Sequence, residues 1–119
     1  MKSNILFLSI DSLRVDQIYG KNKSAKIPNI EKLINSGIFF EQVISTSDAT
    51  GLSLGSIFTS MYPFKSGITH FKFNSELSNC FDVFRENGYT LFSTVPDVSF
   101  FLKLTANFDH NHHYVYDKR

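Results

Sequence analysis

Residues 5–10, Ile-Leu-Phe-Leu-Ser-Ile, are almost wholly apolar, and the run stops at Asp11. A short run with no polar alternation suits a strand covered on both faces, as in a parallel sheet, rather than a half-solvated hairpin strand. Parallel neighbours cannot be joined by a tight turn, so such a strand demands crossover connections, usually helical. The sequence that follows supplies them.

Pro28 suits a first helical turn, with Ile30, Leu33 and Ile34 on one face and Gly37 placed for a left-handed C-terminal cap. Residues 38–44 are apolar and β-branched, which predicts a second strand. Leu54, Ile57, Phe58 and Met61 recur at i, i+3, i+4 and i+7, the stripe of a helix that Pro63 ends. A further helix carries Leu77, Phe81 and Phe84, with Gly88 as its cap, and Tyr89 to Val95 reads as a third strand stopped by Pro96. Ser99 to Leu104 can make one or two helical turns, and His113 to Tyr116 a final short strand. The alternation predicts an α/β fold, layered α/β/α, with a mostly parallel central sheet. No repeat, linker or low-complexity stretch divides residues 1–119, which read as a single domain.

The 119 residues include thirteen Phe, enough apolar material for a core. A net charge of +1 with no basic stripe gives no reason to expect nucleic acid or an anionic membrane surface. The N-terminal apolar run is too short for a membrane span and lacks a small-residue cleavage site, so the expected location is cytoplasmic. Cys80 stands alone and forms no internal disulfide; it reads as a small buried residue on a helix.

In an open α/β sheet, ligands bind beyond the carboxyl ends of strands, and Asp11 sits at such an end. Its carboxylate can hold a hard divalent cation, or it can simply cap the turn that follows. Thr50 stands at the start of a helix, where unpaired N–H groups and the helix dipole favour an oxyanion such as phosphate or sulfate. Its hydroxyl can act as a nucleophile once its alkoxide is stabilised, or it can serve as an N-cap. His110, His112 and His113 crowd beside Asp109. A His-x-His on a strand can present two imidazoles to zinc, although a solvated polar stretch is the commoner reading. Arg14 and Asp16 could touch an anion or form a structural ion pair. His70 is isolated and is given no role.

Several blocks, in order, resemble the sulfatase family of the alkaline phosphatase superfamily. Asn4-Ile5-Leu6-Phe7-Leu8-Ser9-Ile10-Asp11-Ser12-Leu13-Arg14-Val15-Asp16 resembles its opening strand, which ends in a metal-binding Asp followed by Leu-Arg-x-Asp. Ile27-Pro28-Asn29-Ile30-Glu31-Lys32-Leu33 resembles its "TPNLDRL" helix start, and Ser36-Gly37-Ile38-Phe39-Phe40 its "GVRFTN" segment. Thr59-Ser60-Met61-Tyr62-Pro63-Phe64-Lys65-Ser66-Gly67-Ile68 resembles "TGRYPHRHGV", and Glu86-Asn87-Gly88-Tyr89-Thr90 resembles "ENGYT". A looser similarity falls at Asn107-Phe108-Asp109-His110.

Counting back from Thr59, the family's catalytic Cys or Ser falls on Thr50. The resemblance thus implies Thr50 as nucleophile and metal contact, and Asp11 as metal ligand. The cofactor it implies is a divalent cation, whether calcium, zinc, manganese or magnesium, and the substrate a small-molecule sulfate or phosphate ester. The formylglycine signature C/S-x-P-x-R is broken here, because Leu52 stands for Pro and Leu54 for Arg. Threonine is not a substrate for that maturation. The chain looks closer to phosphodiesterases and phosphoethanolamine or phosphoglycerol transferases, which use an unmodified Thr. Ser12 also replaces the second Asp common in the family.

The family's remaining metal ligands come from the C-terminal half of a domain several times longer, so the resemblance implies the N-terminal portion of an alkaline-phosphatase-like fold. The alternative function is a catalytically inactive α/β module that binds an anion or a protein partner. Open sheet edges would favour self-association or a complementing chain.

Overall fold

The computed structural model describes residues 2–69 and 72–115. Two compact units divide the chain, Met1–Val43 and Ile44–Arg119.

The first unit holds two helices, α1 (Val15–Ile18) and α2 (Pro28–Ser36). Pro28 occupies the first turn of α2, where its missing N–H costs nothing. Gly37 does end that helix, but in an extended conformation (φ −121°, ψ −158°) rather than the expected left-handed one; its N–H reaches the Leu33 carbonyl at 2.9 Å. Tyr19 ties the unit together, with its ring 4.6 Å from that of Phe39 and its hydroxyl donating to Glu41 at 2.6 Å.

Neither predicted strand of this unit forms. Residues 5–10 and 38–44 are in no helix or strand. Their side chains stay open, from 50% exposed at Ile10 to 94% at Ile44, with only Phe39 half-covered in the second segment. The reason is physical: an apolar run states which side chains favour burial, whereas a strand exists only where a neighbour completes its ladder. Among the described residues none does. The layered α/β/α sheet is accordingly reduced to the smaller sheet of the second unit.

That unit contains α3 (Thr50–Thr59), α4 (Pro63–Ser66), α5 (Cys80–Glu86), β1 (Phe92–Pro96), α6 (Ser99–Leu104) and β2 (His110–Tyr114). β1 and β2 pair in parallel across α6, in the register Phe92↔His110 to Pro96↔Tyr114. This is the α/β character the sequence predicts, confined to two strands. β1 begins three residues later than expected. β2 starts at His110 rather than His113; the expected end of that strand, Tyr116, lies outside the described residues.

The core is aromatic and aliphatic: Leu54, Phe58, Ile68, Phe73, Phe100 and Leu104 are buried together, with Leu52, Leu77, Cys80, Phe81 and Phe101 packed against them. A tilted ring pair joins α3 to α5, Phe58 with Phe81 at 4.8 Å, and an edge-on pair joins the loop residue Phe73 to Phe100 of α6 at 5.5 Å. α3 contributes only part of its predicted stripe. Leu54 and Phe58 face inward, but Ile57 is 58% exposed and Met61 lies beyond the helix, which stops at Thr59 with Ser60 in the left-handed region.

α5 is closed at both ends by its own sequence. Asn79 accepts from the Phe81 N–H while the Asp82 carboxylate accepts from the Asn79 N–H, both at 2.9 Å, forming a capping box. At the other end Gly88 (φ +70°) turns the chain. Gly88 N–H then reaches the Arg85 carbonyl at 2.8 Å, and Tyr89 N–H reaches that of Phe84 at 3.0 Å. The rings of Phe84 and Tyr89 pack 5.6 Å apart, completing a Schellman motif. This junction directs the chain into β1.

Candidate functional site

Thr50 is the first residue of α3, and its side chain is exposed. Ala49 occupies the N-cap in an extended conformation (φ −113°, ψ 136°) and has no side-chain acceptor to offer the first turn. The N-cap position weighed for Thr50 is thus taken by Ala49. Gly51 behind it is buried, so the helix begins against the unit with its threonine turned outward.

The approach to Thr50 is a serine knot that sequence reasoning passed over. The hydroxyls of Ser45 and Ser53 lie 2.8 Å apart, and both donate toward the Ser47 carbonyl, at 2.6 and 2.8 Å. Ser47 Oγ accepts from the Ala49 N–H at 3.3 Å and lies 3.3 Å from Asp48 Oδ1. Side chains that bond their own backbone compete with helix, which holds the helix start at residue 50. The density of serine between residues 45 and 53 was the available clue.

Asp11 is exposed, in a turn of the first unit, and is followed by Ser12 at φ +58°. A non-glycine residue in the left-handed region marks an enforced turn. The strand expected to end at Asp11 does not form, and Asp11 stands in a turn instead. Arg14 and Asp16 make the structural ion pair, with Nη2 to Oδ2 at 2.7 Å and Nε to Oδ1 at 3.0 Å. That bidentate contact raises the Arg14 pKa and lowers that of Asp16. Cys80 is half-buried, and desolvation raises its thiol pKa, away from nucleophilic behaviour.

A shallow hollow in the second unit is lined in part by Phe73, Asn79, Arg85, Lys103 and Asn107 and does not include Thr50. Arg85 is already bonded to the Asn107 carbonyl and lies 3.8 Å from Asp82, so its charge is engaged within the hollow.

Set beside known families, the chain matches the model described as Sulfatase over residues 3–118. The chain belongs to the Sulfatase family. The match runs through both units and includes Asp11 and Thr50. Comparison with curated proteins and with solved structures gives no match. A sulfatase domain points to hydrolase-like chemistry on sulfate or phosphate esters, and members usually use a divalent metal ion.

Among the described residues no group of three or more His, Cys, Asp or Glu side chains gathers where it could hold such an ion. A catalytic metal site takes about three protein ligands, so these residues do not supply one. No helix among the described residues is long and apolar enough to cross a membrane.

Proposed function

We propose that this sulfatase-family chain carries the nucleophile of a sulfate- or phosphate-ester hydrolase or transferase, with Thr50 Oγ1 as that nucleophile. The observation that carries the reading is the position of Thr50, exposed on the first turn of α3 one residue after the N-cap Ala49, in a chain whose family match spans it. Oγ1 attacks phosphorus or sulfur, the bond to the leaving-group oxygen breaks, and the hydroxyl proton ends on the departing alcohol. A Thr ester remains, which water or a second alcohol then cleaves. The amide groups of the α3 N-terminus favour the charge that develops on the non-bridging oxygens.

Asp11 is proposed as a ligand to a divalent cation, calcium, zinc, manganese or magnesium. One carboxylate is too few for a stable centre, and a complementing chain or a second copy is proposed as the source of the rest. The exposed apolar side chains of residues 5–10 and 38–44 support that partnership, because such surface favours association.

The lack of a three-ligand group among the described residues favours a second reading, an inactive α/β module that binds an anion or a protein through the same loops. Activity separates the two. Aryl phosphate, bis-aryl phosphate and aryl sulfate hydrolysis is measured with added manganese, zinc or calcium, for the wild type and Thr50→Ala. Turnover by the wild type and its loss in the variant supports the nucleophile; equal rates in both sink it.

A further inference from the structure

The geometry points to a two-histidine site for a borderline transition-metal ion, zinc being the probe of choice, on one face of the β1–β2 sheet. His110 and His112 build it. The site is separate from the ester chemistry proposed for Thr50 and does not depend on it.

The argument begins with the strand. Alternate residues of a strand share a face and lie roughly 6.6 Å apart along it. β2 runs from His110 to Tyr114, so His110 and His112 fall on one side and Asn111 and His113 on the other. Hydrogen bonding assigns the sides independently. Asn111 Nδ2 donates to the Thr105 carbonyl at 2.9 Å, and His113 Nε2 lies 3.5 Å from Thr105 Oγ1, so these two turn toward the end of α6. His110 stacks on Phe92, its register partner, with centroids 4.6 Å apart and planes 14° from parallel. His112 stands next to it along the strand, opposite Thr94.

Both imidazoles are exposed, so a cation can reach them without desolvating a buried charge. The stack on Phe92 restricts the His110 ring before any metal arrives, which lowers the ordering cost of chelation. Two imidazole ligands select ions of the zinc class over calcium or magnesium, which take oxygen. Asp109 adds no third ligand from this face: its Oδ2 accepts the Leu91 N–H at 2.8 Å. Water fills the other positions. A site with two protein ligands is weaker than a structural zinc centre, in keeping with the lack of any three-ligand group among the described residues.

The test is isothermal titration of zinc into the untagged full chain. One zinc per chain should bind with micromolar affinity. His112→Ala should weaken binding at least about tenfold through loss of one ligand, and His110→Phe, which keeps an aromatic ring on Phe92, should do the same. His113→Ala should leave binding unchanged. The proposal is overturned by no zinc binding at millimolar concentration, by undiminished binding in His112→Ala and His110→Phe, or by equal loss in His113→Ala. Magnesium in place of zinc should give no heat; binding of magnesium at the same strength would also overturn it.

Discussion

Gly55 lies against Ile68 so closely that a Cβ at residue 55 would sit 2.8 Å from Ile68 Cδ1 and 3.1 Å from its Cγ2. Ile68 is itself only 3% exposed, among Leu54, Phe58 and Phe73, so any shift it makes is made inside the core. The contact fixes α3, and with it Thr50, against the loop that follows α4.

Gly55→Ala should therefore destabilise the second unit even though alanine favours helix by about 1 kcal/mol. Overpacking of about 1–3 kcal/mol outweighs that gain. Removing Ile68 Cδ1 relieves the closest contact, so Gly55→Ala with Ile68→Val should be more stable than the sum of the two single changes. Thermal melts of the four proteins measure the coupling, and simple additivity would show that Ile68 yields.

Ser60 ends α3 at φ +57°, where a side chain is strained and glycine is not. The family segment that resembles this stretch, "TGRYPHRHGV", has glycine at that place, and the left-handed cap gives the reason. Ser60→Gly should stabilise the chain by about 1 kcal/mol, read as a rise in urea midpoint at unchanged slope. A fall in midpoint would mean that the Ser60 side chain makes a contact worth more than the strain.

Tyr19 donates to Glu41, and that hydrogen bond, with the Glu41 charge, raises the phenol pKa above its ordinary value. A raised folded-state pKa means the contact stabilises fully below the ordinary tyrosine value of about 10 and is lost as pH climbs through the folded value. Spectrophotometric titration should show one of the five tyrosines ionising late, and Glu41→Gln should bring it back toward the others. Late ionisation that survives Glu41→Gln would place the cause elsewhere.

Legibility in the sequence followed locality. Helix ends written in short-range chemistry were readable: Pro28 opening α2, Gly88 closing α5 and the brief α6 all fall where the residues place them. Residues 5–10 and 38–44 carry the apolar pattern of strands yet form none, because a ladder is a long-range fact. The α3 stripe failed at Ile57 and Met61 for a related reason: periodicity marks a face, and the left-handed Ser60 ended the helix before the face was complete. Resemblance alone singles out Thr50, and its place one residue inside the helix, after the N-cap Ala49, is a matter of local backbone conformation that the residue types do not specify.

The departure of Leu54 from the formylglycine signature is fixed by packing. Leu54 is 8% exposed at the heart of the second unit's core, with Phe58, Phe73, Phe100 and Leu104 in the same cluster. Arginine there would bring a charge into that cluster without a partner, and burying an unpaired charge costs several kcal/mol or forces the chain apart. Leu52 is half-buried on the first turn, where proline is tolerated far better than in a helix interior. Rebuilding the signature stepwise should therefore split in two. Thr50→Cys with Leu52→Pro should fold with a near-native circular dichroism spectrum, whereas adding Leu54→Arg should lower the melting temperature steeply or abolish the transition. Leu54→Met, of similar volume and apolar, should stay close to wild type, which separates charge burial from a change of shape. A triple variant as stable as the double one would show that position 54 can turn out of the core, and the packing argument for this departure would fall.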